Sequence, residues 1–159
     1  MDDLEYLQIL QISKKFFKAR DRTSEEVRSF LVSKGIPIGV VADFLGEAKD
    51  RGLLNDNRVF ENSLDLALTS KKKGPNRILH EFLERGFEEA KILQSMEELP
   101  KDVVRENCKF LIEKRILSKS PSKKEIFNCI QMLIQKGYEE EMVFSLFREI
   151  NIPLPLEYE

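Results

Sequence analysis

The chain has no tryptophan, one histidine, two cysteines and six prolines in 159 residues, and each scarcity closes off a class of function. His80 alone cannot supply the paired histidines of an HExxH site, so it is read as a surface or half-buried residue without chemistry. Cys108 and Cys129 stand 21 positions apart (129 − 108), which is neither a CxxC pair nor a disulfide framework. Two buried thiols in a reducing cytoplasm are expected. No apolar run approaches the roughly 20 residues that span a bilayer, and the opening MDDLEYLQIL is acidic where a signal peptide needs a basic start. Neither GxxxxGK[ST] nor GxGxxG occurs. In KKKGPN, Pro75 removes a backbone donor where a phosphate cradle needs N–H groups. No nucleophile–base set can be assembled, so a non-enzyme without cofactor or metal is expected. An excess of positive charge is missing too. Lys and Arg total 26 against 28 Asp and Glu, a net charge of −2, so the total does not point to nucleic acid.

What is present is a globular composition, 42% hydrophobic and 34% charged, and a period. SKGI, ERGF and QKGY place Gly35, Gly86 and Gly137 at a spacing of 51 residues twice over (86 − 35 and 137 − 86). At the same offset Val27, Ile78 and Cys129 align, as do Leu31, Phe82 and Leu133, then Val41, Ile92 and Val143. Leu45, Met96 and Phe147 match, as do Ile9, Phe60 and Leu111. Apolar positions fall on apolar positions on both sides of the glycine, which marks an internal repeat.

Each period reads as three helices. The first helices are expected near 4–19, 55–70 and 101–117. The middle helix of the second period has Ile78, Leu79, Phe82 and Leu83 on an i, i+4 pattern. Pro75 suits its first position and Gly86 its left-handed stop. Thr23 or Ser24 can cap the corresponding helix of the first period, with Glu26 closing a capping box on Thr23. In the third, Ser120 or Ser122 caps and Pro121 marks the start. The third helices carry Val41, Phe44, Leu45 and Ala48; Ile92, Leu93, Met96 and Leu99; and Val143, Leu146, Phe147 and Ile150. No segment alternates with period two for long. The expected fold is all-α: three tandem three-helix repeats, over 1–52, 53–100 and 101–150, stacked into an elongated, curved solenoid-like rod. An extended tail is expected over 151–159, where NIPLPLEYE cannot continue a helix.

The near-neutral total hides segregated charge. Lys14, Lys15, Lys18, Arg20 and Arg22 face one acid, Asp21, between 14 and 22. Lys71, Lys72, Lys73 and Arg77 face none, nor do Lys114, Arg115, Lys119, Lys123 and Lys124. Arg22, Lys73 and Lys124 share one register, so the basic clusters recur where the first helix of a repeat meets the second. The helix dipole accounts for the lysines that end helices. It does not account for Arg77, Lys123 or Lys124, which fall in first turns. Stacked repeats would align these junctions into a basic stripe, the footprint of nucleic-acid or acidic-protein contact. No aromatic stacking platform for single strands is evident: Phe60, Phe82 and Phe87 read as core.

Residues 53–87, LLNDNRVFENSLDLALTSKKKGPNRILHEFLERGF, resemble the RecX family of recombinase regulators. Leu54, Asp56 and Arg58 match that family's Leu-Asp-Asp-x-Arg block. Gly74, Pro75, Arg77 and Ile78 match its Gly-Pro-x-Arg-Ile block, and Leu83 and Gly86 its Leu-x-x-Lys-Gly block. SEEVRSFLVSKGI and VVADFLGEAKDRGLL look like its first repeat. Asn55 stands where Asp is usual, and Val59-Phe60 replaces Phe-Ala, so the chain resembles a divergent member. The resemblance implies three tandem three-helix units and a partner, the RecA filament on single-stranded DNA. There the family occupies the filament groove, limits growth and suppresses strand exchange, ATP hydrolysis and co-protease activity, within recombination, DNA repair and the SOS response. It leaves room for Asp56 and Arg58 to serve as a helix cap and its neighbour. Candidate contacts are Arg20, Arg22, Arg58, Lys71, Lys72, Lys73, Arg77, Lys123 and Lys124, on a cytoplasmic monomer without membrane association. A helical repeat binding DNA or RNA directly, and a generic protein-interaction scaffold, are the alternatives.

Overall fold

Helix starts follow the caps. The computed structural model describes residues 1–117 and 119–158 and has nine α-helices and no strand among them. These are α1 (Asp3–Ala19), α2 (Ser24–Ser33), α3 (Ile38–Asp50), α4 (Asp56–Thr69), α5 (Pro75–Glu84), α6 (Glu89–Glu98), α7 (Lys101–Arg115), α8 (Lys123–Gln135) and α9 (Glu140–Glu149). Thr23 closes a capping box with Glu26 at the start of α2, and Ser122 does the same with Glu125 at α8. Pro121 therefore lies outside the helix it was expected to open. Pro75 is the first residue of α5, as its missing N–H favours. The cap of α4 is Asn55, whose Oδ1 accepts from the Arg58 N–H at 3.0 Å. The resemblance suggested Asp56 for this role. Asp56 instead accepts from the Ser24 N–H (2.8 Å) and hydroxyl (3.0 Å). Helices α2, α5 and α8 each run into a left-handed glycine: Gly35 at φ 81°, Gly86 at 83° and Gly137 at 98°. That conformation costs other residues roughly 1–2 kcal/mol. Beyond α9 the chain carries a short 3₁₀ turn over Leu156–Tyr158 within the segment read as extended, whose last residue, 159, lies outside the described residues.

The chain divides into two compact units. One comprises Met1–Ser63 and Leu83–Glu88, the other Leu64–Phe82 and Glu89–Glu159. In the first, Tyr6, Ile9, Val27, Leu31, Val41, Phe44 and Ala48 form the core. In the second, Val104, Cys108, Ile112, Cys129, Ile130, Leu133, Val143 and Phe147 do so. Burying each large aliphatic or aromatic side chain stabilises the fold by about 1.5–3 kcal/mol relative to leaving it exposed. The aligned positions are buried in all three periods: Val27, Ile78 and Cys129 are each 0% exposed, as are Val41, Ile92 and Val143. Leu83 and Leu93, expected on apolar faces, are instead 42% and 44% exposed. On α5 the buried line is Ile78 and Phe82, and Leu83 sits one residue on, rotated by about 100°.

Candidate functional site

One contact recurs a period apart, within each unit separately. In the first unit the end of α5 meets the start of α2. Thr23 Oγ1 donates to the Arg85 carbonyl at 2.7 Å. Arg85 in turn donates to the Asp21 carbonyl (2.9 Å), to Glu26 Oε1 (3.0 Å) and to Ser63 Oγ (2.7 Å). In the second unit the end of α8 meets the start of α5. The Gly74 N–H donates to the Lys136 carbonyl (2.8 Å) and the Asn76 N–H to the Gly137 carbonyl (3.0 Å). Thr23 and Gly74 are one period apart, and so are Arg85 and Lys136. In the second unit, orphan N–H groups at the α5 start thus meet orphan carbonyls at the α8 end, with opposite partial charges facing, whereas in the first unit the Thr23 hydroxyl is the donor. The fit leaves no room: a Cβ on Gly74 would lie 2.2 Å from the Gly137 carbonyl carbon, and one on Gly137 would lie 2.3 Å from the Arg77 nitrogen. The glycine of the Gly-Pro-x-Arg block is there because another backbone passes against it.

The same contact fixes the lysine loop between α4 and α5. Lys136 Nζ donates to the Lys71 carbonyl (2.6 Å) and the Tyr138 hydroxyl to the Lys72 carbonyl (2.7 Å). The Lys73 N–H donates to the Ala67 carbonyl at 2.8 Å. Lys72 itself is left-handed at φ 48°, a strained state for a side-chain-bearing residue that only such over-determination sustains. Its Nζ reaches the Thr69 carbonyl (3.3 Å) and Oδ1 of the buried Asn107 (3.4 Å), whose amide holds the Leu68 carbonyl (2.9 Å). Lysine side chains therefore project from a backbone that is already ordered.

The predicted contacts divide by environment. In the first unit, Arg20 pairs with Glu26 at 2.7 Å. Arg22 donates to the Phe16 carbonyl (3.0 Å) and lies over the Phe16 ring (3.8 Å). Arg58 is exposed at the start of α4. In the second unit, Lys73 and Arg77 both clasp Glu81, at 2.5 and 2.7 Å. This i, i+4 partner is why Arg77 is tolerated in a first turn. Lys71 is exposed beside the half-buried Lys72, and Lys123 and Lys124 are exposed in the first turn of α8. Burial alone would raise the Glu26 carboxyl. The hydrogen bonds from Arg85 and the Thr23 N–H, with the charges of Arg85 and Arg20, outweigh it and hold the pKa below the usual range. Glu81 behaves alike: burial is outweighed by Lys73 and Arg77.

Three residues of this surface were not singled out from the sequence: Glu81, Lys136 and Phe110. The register could have found Lys136, which aligns with Arg85 just before a repeat glycine. Lys136 has its pKa drawn down by burial and then by the charges of Lys73, Lys114, Lys71 and Lys72. No pattern marks the exposed Phe110. Both cysteines are free and buried, and desolvation pushes their thiols up to about 12 for Cys108 and about 11 for Cys129. Among the described residues no group of three or more His, Cys, Asp or Glu is placed to hold a metal ion. No helix there is long and apolar enough to cross a membrane.

Fold and site together define an all-α protein with recurring helix-end contacts and ordered basic junctions. No protein-family model matches the chain. It is 26% identical over 138 residues to the regulatory protein RecX of Oceanobacillus iheyensis, covering 86% of this chain and 51% of that protein. It is 30% identical over 129 residues to RecX of Listeria innocua, covering 80% of this chain and 48% of that one. The crystal structure of RecX from Lactobacillus salivarius superposes with a TM-score of 0.73 at 18% identity, covering 94% of this chain and 98% of that one. The chain is a homologue of the RecX family of regulatory proteins. It spans about half to three fifths of the length of the curated relatives it matches, from 48% to 60%.

Proposed function

We propose that this chain is a non-enzymatic regulator that binds a RecA filament on single-stranded DNA and inhibits its growth, ATP hydrolysis, strand exchange and co-protease activity, acting in recombination, DNA repair and the SOS response. The homology to RecX proteins carries the reading, and the ordered basic loop at Lys71–Lys73 gives it a surface. Inhibition of this kind needs no chemistry: an occupant that prefers one filament state shifts the population by mass action. The proposal includes tandem stacking of three repeats, over 1–52, 53–100 and 101–150, into an elongated, curved rod. It also includes a monomeric, cytoplasmic protein. Among the candidate contacts, Lys71, Lys72, Lys123, Lys124 and Arg58 have no ion pair with an acid among the described residues, whereas Arg20, Lys73 and Arg77 do. The unpaired set is expected to contribute more. Co-sedimentation with recombinase assembled on a long single strand tests the reading. The protein should pellet with the filament, saturate, and be released as the filament is dissolved. Recovery in the supernatant at micromolar filament concentrations contradicts it.

A further inference from the structure

Two surfaces of this chain lack a partner, and each has what the other needs. The first is the outer face of α1. Leu4, Leu7, Gln11, Lys15 and Lys18 follow one another at steps of three and four, so they form one stripe along the helix. All five are exposed, Leu4 at 68% and Leu7 at 55%. The opposite face buries Tyr6, Ile9 and Ser13. Lys14 flanks the stripe, and Lys14, Lys15 and Lys18 have no ion pair with an acid among the described residues. The helix dipole accounts for lysines at this end of α1. It does not account for the exposed leucines that precede them on the same stripe.

The second surface lies wholly within the second unit. Helices α5, α6, α7 and α9 surround a groove of about 690 Å³. Leu79, Met96, Leu99, Val104 and Met142 give it an apolar lining, and the two methionines let that lining adapt to what enters. Leu93 lines it as well and is 44% exposed. So do Glu97, Glu139 and Glu141, which are exposed and have no ion pair among the described residues. Glu139 precedes α9 without capping it through its side chain. Of the two cations there, Arg105 is engaged by Glu149, and Lys101 has no ion pair among the described residues. The uncompensated charge around the groove is negative, three carboxylates against one ammonium, so a phosphate backbone is repelled from it.

We propose that the outer face of α1 of one copy of this chain docks in the groove of a second copy when the two are neighbours on a filament. Leu4 and Leu7 enter among the leucines and methionines. Lys14, Lys15 and Lys18 meet Glu97, Glu139 and Glu141. The contact is heterologous: a copy whose groove is filled still presents its own α1, so the contact repeats from copy to copy. One helix face in one groove is at the small end of interfaces, below roughly 1,200 Å², so the free chain stays monomeric at micromolar concentration. Copies held on one filament meet at an effective concentration of about millimolar, which closes the contact and makes loading cooperative. The proposal rests on the filament reading for its setting and goes beyond it by adding a contact between copies.

The test is oxidative cross-linking of two variants, Leu7→Cys in one copy and Leu93→Cys in the other. Both positions are exposed, and the native Cys108 and Cys129 are buried and stay silent. The mixed pair should cross-link in the free chain at millimolar concentration. At micromolar concentration it should do so only with recombinase assembled on a single strand. Leu7→Cys should not cross-link to itself. Lys15→Glu with Lys18→Glu, added to the Leu7→Cys copy, should lower the yield by about tenfold, as two attractive pairs turn repulsive. Glu139→Lys with Glu141→Lys in the other copy should restore it. On the filament the parent's binding curve should be steeper than a single-site curve, and Glu139→Lys with Glu141→Lys should bring it back to one. A millimolar yield no higher for the mixed pair than for Leu7→Cys alone, or a charge swap that fails to restore the yield, overturns the contact. Tight but uncooperative filament binding by the parent overturns it too and leaves the filament reading intact. Failure to bind the filament overturns that reading, while the free-chain cross-link still decides the contact. Loss of all filament binding in Glu139→Lys with Glu141→Lys would give the groove to the recombinase and not to a second copy.

Discussion

A methyl group added at two of the repeat glycines separates backbone strain from packing. Gly35 and Gly137 are both left-handed, at φ 81° and 98°, and occupy equivalent positions a whole number of periods apart. A Cβ on Gly35 would meet nothing within 4 Å, whereas one on Gly137 would come within 2.3 Å of the Arg77 nitrogen and 2.4 Å of its Cβ. Gly35→Ala should therefore cost only the left-handed penalty, about 1–2 kcal/mol. Gly137→Ala should add an overpacking cost of about 1–3 kcal/mol. The gain from a stiffer unfolded chain, about 0.4–1 kcal/mol, applies to both and cancels in the comparison. Gly74→Ala isolates the packing part, because Gly74 has no left-handed φ yet its Cβ would lie 2.2 Å from backbone. Urea unfolding followed by far-ultraviolet circular dichroism gives all three free energies. If Gly137→Ala is no more destabilising than Gly35→Ala, the close approach of the α5 start to the α8 end is wrong.

Other outcomes follow from single residues. Phe82→Ala, at a site 3% exposed, should lose about 3–5 kcal/mol of stability, read by the same urea titration. Cys108 and Cys129, at about 12 and about 11, should react with a thiol reagent at pH 8 only once denaturant is added, since the thiolate fraction is on the order of 10⁻³ or less. Native-state labelling at the rate of a free thiol would contradict their burial. The folded Glu26 pKa is lowered, so its stabilisation is present above the unfolded value of about 4.3 and is lost as pH falls through the folded one. Glu26→Gln should be less stable than the parent at pH 7, and the gap should close under acid. A gap that persists at pH 2 would show that the loss is not ionic.

Much of the helical layout was legible because the glycines and the apolar positions share one spacing, so Val27, Ile78 and Cys129 predicted one another's burial. Capping chemistry is local, and Thr23, Ser122 and Pro75 could be read from a few neighbours. Leu83 and Leu93 could not be placed, because an apolar stripe on a helix is wider than the line that packs. The basic loop was legible as charge, but its neutralisation was not. Glu81 lies eight positions from Lys73 and reaches it only through the turn into α5. The reason for Gly74 also lay beyond local reading, since its neighbour Gly137 is 63 residues away (137 − 74). Phe110 breaks the pattern by being apolar and exposed, and only the fold shows that Lys72 comes to its face.

Restraint of a RecA filament by occupation is the proposed function of this chain. Its most direct test is a titration of the purified protein into recombinase turning over ATP on single-stranded DNA. Hydrolysis should fall as the protein is added, with loss at substoichiometric or comparable protein and recombinase concentrations. An unchanged ATPase rate at several-fold molar excess would contradict it.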